Sequence, residues 1–499
     1  MWYVTIRRIW KLIYLFGNGV DELKSFSYKR IGLITVLSMS AVLSGCNLIG
    51  GGAQKSEEKS ALKVMYYDER SFYSQLGMVY SALHPEVDIT VVTNQQSGPY
   101  DPQKDMKAEF DKFIDEKQPD VLMLTPEQLT EYAEDGKLLE LDTMTEEKTY
   151  NKETLIPGLL DYMKELGGGK IYGLSSSFYS QAIFYNKDLF NKYGIPLPED
   201  RMSWDKLFEL AQRFPTDGAK DKRVYGLSLG YNGELYQLGS MIGASQNLSM
   251  VNAASKQVTI NSPAWKNVFQ TAMNGLKSGA LYTEDPNGMN TSSQTYEDYL
   301  LRDPFIAGKV AMKLEGAYFI GQIKESQTRV KDKAIKSWDI VTVPVDPQSP
   351  DSSPNMSFNQ IFAVNAKSVN TEAAKEFIRY VTSDEYARVT SKLQDGSFPV
   401  RTNYIKDDDN HNMKAFYSLK PAKSSIYKDY DKLPQNFFMQ FMNIAQEELK
   451  SAFAGKKSLD DALATAQTKG QQIMVQEQAK QKDKPAEAAV TEKTASGTN

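Results

Sequence analysis

From Leu62 to Leu139 short apolar runs alternate with helical stretches, and this alternation narrows the fold more than any other feature of the chain. Leu62-Lys63-Val64-Met65-Tyr66-Tyr67 reads as a strand and Ser71 to Leu83 as a helix. After a turn at His84-Pro85-Glu86-Val87, Asp88-Ile89-Thr90-Val91-Val92 reads as a second strand. A helix between two such strands makes a βαβ unit, which forces parallel pairing. Within the next stretch, 104–116, Met106, Phe110 and Phe113 recur at helical spacing. Pro119-Asp120 then leads into a buried strand, Val121-Leu122-Met123-Leu124, and Pro126 to Glu134 is a helix closed by Gly136. Alternation of this kind places the chain in the α/β class.

The chain's single cysteine, Cys46, follows a basic patch (Tyr28-Lys29-Arg30), an apolar run from Ile31 to Leu43, and Leu43-Ser44-Gly45. A charged segment, a short apolar segment and a small-residue cleavage site make a secretory signal. The run falls short of the ~20 apolar residues that span a bilayer. With no second cysteine to pair with, Cys46 has no disulfide role within the chain. Residues 1–27 hold a basic and apolar stretch of their own, Arg7 to Phe16, which fits either a long charged segment or a start site assigned too far upstream. After Cys46, the Gly-, Ser- and charge-rich residues to Ser60 cannot bury a core and form a tether; residues 479–499 read as a disordered tail.

Between these ends lie roughly 420 residues, enough for two domains with real cores. The net charge of −5 is well mixed, with no basic stripe to hold nucleic acid. The regular alternation breaks at Gly167-Gly168-Gly169 and again at Ser175-Ser176-Ser177-Phe178-Tyr179, where triple serine makes a poor core strand. A helix follows from Lys187 to Tyr193, and Ser203 caps another that runs through Arg213.

Several blocks, in order along nearly the whole body, resemble the family 1 extracellular solute-binding proteins, the group that contains maltose-binding protein. They are His84-Pro85-Glu86-Val87; Pro119-Asp120-Val121 with Ala133 to Leu139; Lys170-Ile171-Tyr172-Gly173-Leu174; Phe184-Tyr185-Asn186-Lys187-Asp188-Leu189-Phe190; and Trp204-Asp205-Lys206-Leu207. Phe305 to Met312 with Glu315-Gly316-Ala317-Tyr318, then Ala373 to Ile378, and Gly455 to Leu463 complete the set. The resemblance implies a two-lobed, type II periplasmic-binding-protein-like fold with a hinge and an inter-lobe cleft. It places crossings near Leu174–Tyr179, Phe358–Phe362 and Phe398–Arg401. The lobes would then be 61–176 plus 359–401 and 177–358 plus 402–478. It also makes Cys46 a lipidation site, anchoring a monomer to the outer face of the cell membrane, on a Gram-positive surface, as the receptor of an ABC importer.

Sugar rings present an apolar face that aromatic rings cover and a hydroxyl edge that amides, carboxylates and arginine satisfy. On that chemistry the resemblance implies an oligosaccharide ligand and picks out residues at strand ends and crossings. Tyr67 and Arg70 follow the first strand, Glu127 the third, and Tyr231 and Asn232 a strand at 223–229. Phe178 and Tyr179 lie on the first crossing and Asn359, beside Gln360, on the second. Tyr318 stands where the family often has a stacking tryptophan. The bland reading of each tyrosine is core packing, and of Glu127 a first-turn charge on a helix dipole. Other binding readings are a receptor for a peptide or polyol, or a partner of a sensor kinase.

Gly226-Leu227-Ser228-Leu229-Gly230 matches a nucleophile elbow, but a serine hydrolase needs a histidine, and only His84 and His411 exist. His411 follows Asp407-Asp408-Asp409-Asn410, a run that lacks the glycine and distal glutamate of an EF-hand. The reading is therefore of a binding protein with no catalytic residue, no metal and no cofactor.

Overall fold

The computed structural model describes residues 60–93, 106–219, 223–230, 233–283, 295–392, 396–406, 409–426, 429–434 and 436–483. Cys46, the signal region, the tether up to residue 59, Tyr231, Asn232, Asp407, Asp408 and residues 484–499 lie outside the described residues. The strands that build the two main sheets are β1 (Ser60–Tyr66), β2 (Val87–Thr93), β3 (Val121–Leu124), β4 (Gly173–Ser175), β5 (Gln181–Asn186), β6 (Tyr225–Ser228), β7 (Leu281–Tyr282), β8 (Val310–Gly316), β9 (Trp338–Val341) and β10 (Ile361–Val364).

The expected βαβ unit forms, with β1 and β2 parallel and Leu62 opposite Ile89. The first sheet has the order β2-β1-β3-β10-β4, and β10 runs antiparallel to both neighbours. The second has the order β7-β6-β8-β5-β9, with β5 antiparallel to β8 and β9. All four side chains of β3 and of β10 are buried. That is why those segments read as unbroken apolar runs: a central strand covered on both faces has no polar side to alternate with. Asp120, just before β3, is buried but satisfied: it accepts from the Lys63 amide (2.8 Å), the Ser368 hydroxyl (2.6 Å) and the Asn370 amide (3.2 Å).

Helix α1 (Pro126–Glu134) follows β3, α2 (Trp204–Ala211) packs against β6, and α3 (Tyr318–Arg329) follows β8. α1 begins with a capping box between Thr125 and Gln128, and Ser203 caps α2 as expected. The helix expected over 71–83 starts at Glu69 and contains a π-helical turn at Tyr73–Gly77. The strand expected over 223–229 is shorter, Tyr225–Ser228. At its second residue, Gly226, a Cβ would stand 2.1 Å from the Ala211 carbonyl oxygen. Only glycine lets the end of α2 approach this strand so closely.

The chain leaves the first sheet at Ser175 and enters the second at Gln181. It returns between Val341 and Ile361, and passes back through Phe398–Pro399. The three passages are stitched side by side. Ser177–Phe178 pairs with Phe398–Pro399, and Tyr179 exchanges two 2.9 Å backbone hydrogen bonds with Ser357. Their aromatic rings form a continuous buried line. Phe178 lies 6.3 Å from Phe358 and 5.6 Å from Phe398; Phe358 meets Tyr162 at 5.3 Å; Phe398 meets Phe416 at 5.0 Å, which reaches Phe184 of β5 at 6.1 Å. Next to this line, Arg401 is buried, its guanidinium 4.9 Å over the Tyr150 ring and bonded to oxygens. Its guanidinium donates to the carbonyls of Tyr150 (2.7 Å), Asn151 (2.6 Å) and Thr382 (2.8 Å) and to the Thr154 hydroxyl (2.7 Å). Burial lowers its pKa, and these bonds offset the cost of desolvating the cation.

Phe178 is fully buried at the centre of the line. Phe178→Ala is expected to lose about 3–5 kcal/mol of unfolding free energy, and Phe178→Leu clearly less. Guanidinium unfolding of the two variants checks this, and a loss near zero would mean the crossings do not depend on the ring.

Candidate functional site

In α/β sheets ligands gather outside the carboxyl ends of the parallel strands. In the first sheet those ends are Tyr66 of β1, Leu124 of β3 and Ser175 of β4, with Ile361 at the start of β10 paired to both Leu124 and Ser175. In the second they are Ser228 of β6 and Gly316 of β8, with Gln181 at the start of β5 opposite Gly316. The direct passage from Ser175 to Gln181 can span no more than about 20 Å. The two carboxyl edges therefore lie on either side of the stitched crossings.

On the first edge the Tyr66 hydroxyl donates to Gln75 Oε1 (2.7 Å) and accepts from Gln360 Nε2 (3.1 Å). Burial pushes the Tyr66 phenol pKa well up, against the opposing pull of the Gln360 bond. Tyr67 sets its ring edge-on to Tyr66 at 5.2 Å and remains 37% exposed. Arg70 is exposed on the short helix Glu69–Phe72, which Asp68 caps by accepting from the Ser71 amide at 2.8 Å. Glu127 is exposed in the first turn of α1, close enough for its charge to add to the burial that raises the Tyr162 phenol pKa. On the crossings Tyr179 is 42% exposed, and Asn359 is exposed, its Oδ1 accepting from the Ser357 hydroxyl at 2.8 Å.

On the second edge Tyr318 opens α3 with 49% of its surface exposed. Its hydroxyl donates to Glu315 Oε1 (2.6 Å), which also accepts from the Gly316 amide (3.0 Å). Glu315 Oε2 lies 3.4 Å from Lys313 Nζ. Lys313 is buried in β8, paired with Asp303 and set 4.2 Å over the Phe319 ring. Gly396, in the left-handed region at φ +83°, packs where its Cβ would meet the Tyr318 Cβ at 3.0 Å. Burial and then the bond to Glu315 raise the Tyr318 phenol pKa. The ring is thus fixed at its hydroxyl end by Glu315 and at its base by Gly396.

The geometry sorts the residues singled out in the sequence. Tyr67, Arg70, Glu127 and Asn359 belong to the first edge or its flanks, Tyr179 to the crossing and Tyr318 to the second edge. Phe178 is corrected: it is sealed between Phe358 and Phe398 and offers a ligand no face in this conformation. Tyr231 and Asn232 lie outside the described residues. Ser228 is buried in β6, paired with Tyr282 and Lys313. His411 stacks on Trp338 of β9 at 3.6 Å, three strands away from β6, about 14 Å at ordinary strand spacing. His84 stacks on Tyr80 in the connection between β1 and β2. Neither serves Ser228 as a base. The flanking glycines have structural reasons, the close approach at Gly226 and a φ of +70° at Gly230. Asp409 pairs with Lys324 at 3.0 Å, and among the described residues no group of three His, Cys, Asp or Glu could hold a metal ion.

Sequence reasoning missed Gln75, Tyr66 and the Asp303–Lys313–Glu315 cluster. Lys313 did carry a signal: a charged residue inside the apolar run Val310-Ala311-Met312-Lys313-Leu314 must find a buried partner. A groove of about 600 Å³ elsewhere, along the helix Leu459–Asp483, is lined by Gln257, Val258, Gln467 and Gln471 and has no aromatic face. The carboxyl edges are the better candidate because they combine exposed rings with fixed polar groups.

The model of the bacterial extracellular solute-binding protein family matches residues 53–388. A multiple sugar-binding protein of Streptococcus mutans is 22% identical over 407 residues, 79% of this chain and 87% of the relative. An sn-glycerol-3-phosphate-binding periplasmic protein of Rhizobium meliloti is 24% identical over 180 residues, 36% of this chain and 39% of the relative. In overall fold the chain resembles the sugar-binding protein MalE of Xanthomonas citri, with a TM-score of 0.59 at 16% identity, covering 85% of this chain and 100% of the other.

Tyr66, Tyr162 and Tyr318 all hold their protons more tightly in the folded state than a free phenol does. A raised folded pKa contributes stability that is complete below the unfolded value, about 10, and is lost as pH rises above it. Unfolding free energy is therefore expected to fall above about pH 10, with part of the phenolate absorbance appearing only on unfolding. Full phenolate formation at pH 10–11 with the fold intact would contradict the packing described.

Proposed function

Because the chain belongs to the bacterial extracellular solute-binding protein family, we propose that it captures a carbohydrate, an oligosaccharide, between its two carboxyl edges and delivers it to the permease of an ABC importer. The family is one of binding proteins, so the chain is a receptor and not an enzyme. The observation that carries the carbohydrate reading is the disposition of Tyr67, Tyr179 and Tyr318, each 37–49% exposed, with the Tyr318 hydroxyl bonded to Glu315. Half-exposed rings at strand ends suit the apolar faces of sugars, while Asn359, Glu127, Glu315 and Arg70 suit their hydroxyls. Rings on both edges favour a ligand of more than one sugar unit. The sugar-binding relative of S. mutans, aligned over most of the chain, supports the same class.

In this reading the lobes are 61–176 plus 359–401 and 177–358 plus 402–478, and they close on the ligand by bending at the crossings. Closure needs contacts that exist only when both edges touch the ligand. The chain works as a monomer on the outer face of the membrane, held by a lipid on Cys46. No helix among the described residues is long and apolar enough to cross a membrane. Cys46→Ala should move the protein from the membrane fraction to the medium; unchanged membrane retention would rule the anchor out.

A thermal-shift screen tests the ligand class. At 100 times its Kd, a ligand adds about 2.7 kcal/mol to stability. Oligosaccharides such as maltotriose and raffinose are expected to raise Tm, with the shift much reduced in Tyr318→Ala. A shift produced by peptides and by no sugar would replace the carbohydrate reading with a peptide receptor.

A further inference from the structure

Stacking faces leave the charge of the ligand open, and the cluster at the end of β8 closes it. Lys313, the cation beside Glu315, is already shared between Asp303 and Glu315. These three described groups, two carboxylates and one ammonium, carry one net negative formal charge. Its hydrogen-bonding polarity points the same way. The Tyr318 hydroxyl spends its only proton on Glu315, so its remaining lone pairs, like those of Glu315, can only accept. A ligand edge must therefore bring donors. Sugar hydroxyls do so; a phosphate or carboxylate brings acceptors and a like charge, which is repelled in a partly buried setting.

We infer that this edge takes an uncharged polyhydroxyl ligand as hydrogen-bond donor and rejects phosphorylated or carboxylated ones, with Glu315 setting the preference. This rests on the carbohydrate reading above. It separates the chain from a receptor for phosphate esters, such as the partly aligned sn-glycerol-3-phosphate-binding relative. Arg70, exposed on the opposite edge, is the residue through which an anion would bind if the inference were wrong.

Calorimetric titration of the full chain tests it. The neutral probes are maltotriose, raffinose, trehalose and D-mannitol. The anionic probes are trigalacturonate, the phosphate esters of trehalose and mannitol, and sn-glycerol 3-phosphate. At least one neutral probe is expected to bind, and its anionic counterpart to bind about tenfold or more weakly, equivalent to about 1.4 kcal/mol. Glu315→Gln should shrink that ratio by about tenfold, whereas Glu315→Asp, which keeps the charge, should preserve it. An anionic probe that binds the unaltered chain as tightly as its neutral partner overturns the inference, and so does a ratio that Glu315→Gln leaves unchanged; both outcomes leave the carbohydrate reading standing. Should Glu315→Gln fail to fold, salt decides with the unaltered chain: repulsion is screened at high ionic strength, so anion affinity should rise with salt, and a fall overturns the inference. If no probe in either set binds, the carbohydrate reading fails and the inference with it.

Discussion

The line of buried rings from Tyr162 through Phe358, Phe178, Phe398 and Phe416 to Phe184 is the interaction on which the rest of the molecule depends. Each sheet could bury its own faces without it. What the rings add is a shared apolar contact at the place where three separate passages of the chain meet, so the two sheets are joined by packing as well as by covalent linkage. Backbone pairing at Ser177–Phe178 and Tyr179, and the oxygen cage around Arg401, fix the passages in register beside that contact. Any bending between the lobes would have to pivot about this line, because interiors packed to this density hinge at their margins and do not deform smoothly.

The same constraint positions the site. With the passages held together, the carboxyl ends of β1, β3, β6 and β8 open toward the crossings, and the residues just past them are the ones proposed to meet a ligand. Their chemistry differs from edge to edge. The first edge is a neutral network, Gln75–Tyr66–Gln360, flanked by exposed Tyr67, Arg70 and Glu127. The second is ionic, a lysine shared by two carboxylates with a tyrosine latched to one of them. The latch restricts the Tyr318 ring before any ligand arrives, which lowers the entropy lost on binding.

Much of the first sheet was legible in the sequence because its strands are either continuous apolar runs or lie between clear turns; β3 and α1 begin and end where Pro119, Pro126 and Gly136 place them. Local signals were weaker where tertiary packing decides. The π-helical turn at Tyr73–Gly77 has no sequence mark of its own, and β6 is trimmed by the approach of α2 at Gly226. For the site, resemblance pointed to strand ends but not to which side of a strand each residue faces. Phe178 and Tyr179 are adjacent and point oppositely, as successive strand residues must, so one is sealed in the line and the other is exposed. Glu315 went unweighed because its importance comes from Lys313 and Tyr318, and those contacts exist only in three dimensions.

The central claim is that ligand is held between the two carboxyl edges beside the crossings. Hydrogen exchange of the full chain with and without a saturating oligosaccharide measures this most directly. The account predicts new protection at Tyr66–Arg70, Asn359–Ile361 and Glu315–Tyr318 together. Protection confined to the groove around Gln257 and Gln467–Gln471, with both edges unchanged, would contradict it.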